Sequence, residues 1–441
     1  MTAFRWWGLI VLTGMIPSCL TASLSHSWWL RLNDPIINQA VPRLMGINPD
    51  WRAYEADVTQ AKAETTVPRA MQWPSIELTA GASRTNIRDF PFKETSFGQI
   101  GAQLKWDWDW FGKTSNQVKR ADALLNAKNA EKQEGQLKLV AELANAVVTA
   151  RETMGVIHHM KLELTARETQ ETLTQSLVKV GLADPSLLHH LSITTDQLRS
   201  NLAQMEALSQ ATQYELIQLL DAPDIWNELN SMDEYGVPTL NLEPELTEPI
   251  EALNNRPDVQ ISKSVWEGMV AKLGEANAAY WPSIGVSGSY GSFHLLDTGD
   301  RINGWSANLD VTYPLFTFGR ITAQATAAKA GATASQLRYE STVKKGVRKM
   351  MTSLKQLLAS HTIEERGRSI LDSQRQLLRL HEMKFASGLI DFGTLCDTQA
   401  NYHAGYALSI RQRAAVAKAM IQYQVELGGM SKWNPSLPGE P

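Results

Sequence analysis

Trp73-Pro74-Ser75-Ile76 recurs as Trp281-Pro282-Ser283-Ile284, an offset of 281 − 73 = 208. Pro49-Asp50 recurs as Pro257-Asp258, again 208. Phe111-Gly112-Lys113 returns as Phe318-Gly319-Arg320, and Val180-Gly181-Leu182 with Asp184 as Ser387-Gly388-Leu389 with Asp391, both offset by 207 (318 − 111 and 388 − 181). Four landmarks keep their order and spacing, so the chain contains two copies of one large unit. Solenoid repeats run about 20–50 residues, so this is a different kind of duplication.

The net charge is −4 over 441 residues, which gives no basic balance for nucleic acid. No proline falls between Pro91 and Pro185 or between Pro314 and Pro435, and those stretches are rich in Ala, Leu, Gln, Lys and Glu. These are good helix formers, so long helices are expected there. The two cysteines, Cys19 and Cys396, make no disulfide framework and no metal-type Cys-x-x-Cys.

Arg5 followed by the apolar run Trp6 to Ile16 reads as an export signal over residues 1–18. Ile16-Pro17-Ser18-Cys19 resembles a bacterial lipoprotein box, although Pro17 is unusual in it. The resemblance implies lipidation of Cys19, and Leu20 after it favours sorting to an outer membrane. No other stretch offers the ~18 consecutive apolar residues of a membrane helix, so any crossing must be made by strands.

Ile100, Ala102, Leu104, Trp106, Trp108 and Trp110 alternate with polar residues and glycine, as do Trp305, Ala307, Leu309, Val311, Tyr313 and Leu315. Ile76 to Ala82 and Ile284 to Tyr290 alternate in the same way. Period two marks strands with one apolar face. A soluble hairpin would alternate likewise, but these runs match the about 9–11 residues that cross a bilayer, and aromatics sit near their ends. Four strands cannot close a barrel, and an open edge cannot stand in lipid. Transmembrane strands therefore require several chains to pool them; three copies would supply twelve.

A helix is expected from each strand pair to the next glycine break, Gly112 to Gly181 and Gly319 to Gly388, both 69 residues (181 − 112 and 388 − 319). At 1.5 Å per residue each is about 100 Å long and must lie along other helices. Leu137, Val140, Ala144, Val147, Ala150, Met154 and Ile157 supply a seam spaced by threes and fours. Return helices are expected over Pro185 to Leu220 and Phe392 to Gly428, and Asp50 to Met71 could stack end to end with the former. Gly181 and Gly388 read as turns needing positive φ, and Asp184 and Asp391 as N-caps. The expected organisation is a signal (1–18), a lipid-anchored segment (19–47), a first repeat (48–221), a connection (222–254), a second repeat (255–428) and a tail (429–441).

Together these features resemble the outer membrane factor family, the TolC-like exit ducts. Trp28-Trp29, Leu32-Asn33-Asp34-Pro35 and Asn48-Pro49-Asp50 are similar to its lipoprotein branch, which works with resistance-nodulation-division efflux pumps. Asn255-Arg256-Pro257-Asp258-Val259 resembles the family's start of its second repeat. The resemblance spans about Trp28 to Gly428. It implies a mainly α, tandem-repeat chain of long coiled-coil helices and four strands. Trimerisation would build a 12-stranded transmembrane β-barrel in the outer membrane and a periplasmic α-helical tunnel. It also implies a periplasmic adaptor meeting the tips at Gly181, Gly388, Asp184 and Asp391, an inner-membrane transporter, and passive passage of small molecules. No cofactor is implied.

By the same resemblance Asp397, nine positions past Gly388, would line the narrowest ring, where three carboxylates attract cations. The first copy has His190 at that distance from Gly181. Thr394 replaces a second acid found in some members, and Phe385 a tyrosine that bonds across the tip. The expected closed state leans more on packing as a result. Type I protein secretion and a non-pore lipid-anchored spacer are the rival readings. The lipoprotein box disfavours the former, and the four strands disfavour the latter. No catalytic or phosphate-binding motif is present, and the adjacent pairs His158-His159 and His189-His190 point to different helix faces, a poor start for metal binding.

Overall fold

The computed structural model describes residues 28–85, 95–230, 237, 253–296 and 299–429. The signal and Cys19, most of the 222–254 connection and nearly all of the tail lie outside the described residues.

A 3-10 turn (Trp28–Leu32) leads into α1 (Pro35–Ile47) and α2 (Pro49–Ala70). Strands β1 (Ser75–Thr85) and β2 (Thr95–Trp108) follow, then α3 (Lys113–Lys179), α4 (Pro185–Leu220) and the short α5 (Ile225–Asn230). The second copy repeats the plan: α6 (Pro257–Ala278), β3 (Ser283–Leu295), β4 (Arg301–Thr312), α7 (Arg320–Ala386) and α8 (Phe392–Glu426).

Helices α3 and α7 are each 67 residues, two fewer than the glycine-to-glycine offsets, because Gly112 and Gly319 are N-caps and Val180 and Ser387, just before the second glycines, are C-caps. Gly112 and Gly319 sit at φ 76° and 81°, and Gly181 and Gly388 at φ 76° and 70°. The last two close Schellman turns: Gly181 donates to Val178 and Leu182 to Leu177, Gly388 to Phe385 and Leu389 to Lys384. Asp184 accepts from the Ser186 amide and Asp391 from that of Thr394, so each return helix starts on a carboxylate cap.

Two apolar alternations run past the strands they mark. β2 stops at Trp108 because Asp109 turns to cap α3, accepting from the Thr114 and Ser115 amides at 2.9 and 2.6 Å. β4 stops at Thr312, two residues before Pro314, which has no N–H for a ladder. Trp110, Tyr313 and Leu315 therefore lie in the strand-to-helix junctions.

The four strands form one antiparallel sheet in the order β1-β2-β3-β4. The β2–β3 pairing joins the two copies, Trp106 opposite Val286 and Ala102 opposite Tyr290.

α3 is the axis of the helical part. α2 and α4 pack on it, and so do α6 and α8 from the other copy, whereas the main described neighbours of α7 are α6 and α8. The main core gathers where α1 meets α3 and α4 and the 3-10 turn meets α8, around Leu44, Leu143, Val147, Leu216 and Ile421. Of the expected seam, Leu137, Val140, Ala144, Val147 and Ala150 are buried, and Met154 and Ile157 pack partly buried beside them. Inside this core Asp34 caps α1 and pairs with Arg151 at 3.1 Å, which fixes the N-terminal segment to α3.

Candidate functional site

Register decides what the sheet can face. Ile76 pairs with Leu104 and Leu78 with Ala102; Trp106 pairs with Val286, Trp108 with Ile284, Val286 with Leu309 and Tyr290 with Trp305. All of these lie on one face. The other face carries the rows Glu77-Gln103-Ser289-Ser306 and Ser75-Lys105-Ser287-Asn308. A one-residue slip in any pairing would mix the two faces.

No other described part of the chain covers the apolar face: Leu78 is 78% and Trp305 79% exposed. The band turns polar at the Ser292-Asn303 row, where Arg301 donates to Ser292 at 2.8 Å. At the helix end it is bounded by rings: Trp106 stacks on Trp108, Trp108 meets Trp110 edge-on, and Phe111 stacks on Trp281 at 5.3 Å. Apolar strands bounded by aromatics suit an outer-membrane barrel wall.

The second site lies near the opposite end of the long helices. Asp397, two turns into α8, bonds Arg167 of α3 at 2.7 Å. Arg167 also donates to Asn401 at 3.1 Å, and Asn401 returns a bond to the other Asp397 oxygen at 3.0 Å. The pair spans the two copies. The Arg167 side chain is 17% and that of Asp397 48% exposed, so the carboxylate keeps one side open to solvent. Beside them burial pushes the Glu163 carboxyl up, against the opposing pull of Arg167 and Arg411.

Thr394 belongs to the cap, its hydroxyl donating to Asp391 at 2.7 Å. Hydrogen bonds from Thr394 hold the Asp391 carboxyl below the usual range, and those from Ser186 do so for Asp184. Phe385 packs on Phe392 at 5.4 Å, so the tip hairpin closes by ring contact where a tyrosine would hydrogen-bond. Val180, Leu182 and Leu389 project from the two tips, all exposed. Cys396 is buried beside Asp397, and burial pushes its thiol up, which makes it inert packing.

Arg167 and Asn401 were invisible in the sequence as site residues. Arg167 lies 230 residues from Asp397, and no local pattern marks it. The structure also changes the histidine picture. His159 meets His403 of α8, Nδ1 to Nδ1 at 3.3 Å, with Tyr406 stacked on its ring at 4.0 Å. Among the described residues no group of three or more His, Cys, Asp or Glu could hold a metal ion. No described helix is long and apolar enough to cross a membrane.

Comparison with known proteins agrees with this geometry. The family model for the outer membrane efflux protein matches residues 41–222 and 249–429, one match per copy. The toluene efflux pump outer membrane protein TtgC of Pseudomonas putida is 22% identical over 433 residues, covering 92% of this chain and 86% of that one. Two crystal structures share the fold. The outer membrane protein VceC of Vibrio cholerae superposes with TM-score 0.78 at 18% identity, over 92% of this chain and 98% of that one. The CmeC outer membrane channel of Campylobacter jejuni gives 0.79 at 16% identity, over 92% and 89%. Matched through both of its copies, the chain belongs to the outer membrane efflux protein family, non-enzymatic channel proteins of the outer membrane that serve efflux pumps.

Proposed function

We propose that three copies of this chain form the exit duct of a tripartite efflux pump. The observation that carries this is the sheet. Its apolar face is uncovered, and β1 and β4 are edge strands with no partner among the described residues. Unpaired edges cannot stand in lipid, so the sheet must be closed by strands from other copies. Three sheets of four strands make a twelve-stranded barrel with the polar rows inside. The 67-residue helices, about 100 Å each, then continue the wall as a periplasmic tunnel. The uncovered sheet also counts against a non-pore spacer, which has no use for it.

The gate is the Arg167–Asp397–Asn401 contact. A part-exposed ion pair contributes about 0–1 kcal/mol. Three per assembly supply at most about 3 kcal/mol, enough to hold a closed state and weak enough to release it. Thr394 and the Phe385–Phe392 contact support the tip behind this ring. A periplasmic adaptor docks on the tips through Gly181, Gly388, Asp184, Asp391 and the exposed leucines beside them, and hands over cargo from a resistance-nodulation-division type transporter. The toluene named for TtgC supports small apolar molecules as cargo. Cys19 carries the lipid that holds the N-terminal segment at the membrane; loss of palmitate labelling in Cys19→Ser tests it.

The decisive experiment is conductance of the purified protein in planar bilayers. Brief low-conductance openings are expected for the wild type, and at least tenfold higher open probability for Asp397→Ala and for Arg167→Ala (about 1.4 kcal/mol per tenfold). No conductance from wild type or either variant sinks the duct reading. Conductance unchanged by both variants sinks the gate assignment alone.

A further inference from the structure

His159 and His403 lie on the same seam as the gate pair. His403 follows Asp397 by six residues and His159 precedes Arg167 by eight, so the imidazoles sit roughly 10 Å along the helices from the ion pair. We propose that His159 and His403 are an acid-triggered release for the α3–α8 seam: neutral, they share one hydrogen across it; protonated, they repel and loosen the gate. The proposal rests on the gate reading above.

The contact has a definite requirement. A neutral imidazole has one donor and one acceptor nitrogen, so two facing Nδ1 atoms at 3.3 Å need one ring of each tautomer. Two imidazolium rings are both donors, and the contact becomes a repulsion. The surroundings give no relief. Tyr406 stacks on His159 and His158 meets it edge-on at 5.2 Å, while Tyr402 meets His403 edge-on at 5.3 Å. The charges acting on His159 are those of His403, His158 and Arg413, all basic. From α7, Arg375 faces Tyr402 and adds another positive group. Glu163, one turn further along α3, is acted on by Arg167 and Arg411. On the α4 side the carboxylates are engaged, Glu206 with Lys161 and Glu168 with Arg199.

Burial first, then His403, His158 and Arg413, hold His159 down at about 4. Burial and His158 lower His403 as well. A free histidine titrates near 6.5, so the seam is fully stable above that value. It loses stability as pH falls toward the lowered values, because the separated helices take up protons that the closed seam refuses.

The test is hydrogen–deuterium exchange of the full assembled protein, with exchange times corrected for intrinsic pH dependence, reading peptides around His159 and His403. Between about pH 7 and pH 4.5 the wild type should lose protection there by roughly tenfold or more, since His159 refuses its proton down to about 4. The double variant His159→Gln, His403→Gln should be flat, and bilayer open probability should rise with acid only in the wild type. A flat wild type, or the same pH profile in the double variant, overturns the proposal. If the double variant does not assemble, His403→Gln alone must remove at least half of the response, and a full response in it overturns the proposal equally. Acid loosening of the seam without conductance at any pH upholds the histidine pair and defeats the duct reading instead.

Discussion

The two copies have the same elements in the same order, yet they are packed differently. α3 buries 21 of its 67 residues and α7 only 11 of 67. α3 is surrounded by α2, α4, α6 and α8, while the main described neighbours of α7 come from its own copy. The N-terminal segment adds to the asymmetry, since Asp34 ties it to α3 of the first copy while the 3-10 turn packs on α8 of the second. Duplication thus reproduced local structure, and tertiary packing then gave each copy its own work. The interior of the protomer is formed by α3 of the first copy together with α8 of the second copy. The second keeps an open flank, which the trimer proposed above would place against the next chain.

Equivalent positions make this difference testable. Asn48 and Arg256 correspond (256 − 48 = 208) and both start a helix. Asn48 caps α2 through its own side chain, accepting from the Asp50 and Trp51 amides. Arg256 makes no such cap. It is buried and ties Asp258 at 2.8 Å, the Glu426 carboxylate at 2.9 Å and the Glu426 carbonyl. Arg256→Ala strands Glu426 in the interior and should cost about 3–5 kcal/mol. Asn48→Ala loses a cap, about 1 kcal/mol. Thermal unfolding of both variants checks the ranking; equal losses would mean that the second copy is not anchored through this arginine.

The tips should behave alike. Gly181→Ala and Gly388→Ala force a side chain into positive φ, and each should cost about 1–2 kcal/mol, with nothing nearby to clash. A much larger loss at one tip, read by the same melts, would show that the tips differ in more than backbone.

The strand-to-helix junctions should differ modestly. Asp109 caps α3, whereas the equivalent residue of the second copy (109 + 207 = 316) is Phe316, 88% exposed and unable to cap. Asp109→Ala should lower stability by about 1 kcal/mol. Phe316→Asp, which restores the missing acid, should raise it by a similar or smaller amount.

The smallest effect concerns the tip caps in acid. Asp184 and Asp391 have lowered carboxyl pKa values in the folded chain, from a reference of 3.8. Their contribution is present above the reference value and is lost as pH falls through the lowered one. Exchange of the first turns of α4 and α8 should therefore rise only below about pH 4, later than release of the histidine pair.

Much of this architecture was legible in the residues. Proline-free stretches gave the long helices, glycines their ends, aspartates their caps and alternation the strands. These are local effects, decided by neighbours in sequence. The strand ends were misjudged for a local reason too: Trp110 and Leu315 continue the alternation, but Asp109 and Pro314 stop the ladder. At the proposed gate Asp397 is marked by family resemblance, whereas no sequence pattern marks Arg167.

By itself the sequence determined a duplicated chain of two strand pairs and two long helices spanning about 69 residues between glycines, each copy unable to bury its own apolar surface. Only the tertiary structure decided which helix became the axis, that Arg167 meets Asp397 and that His159 meets His403. Those contacts join residues more than two hundred positions apart. Such pairings are set by how whole helices lie along one another, which no local pattern of side chains encodes.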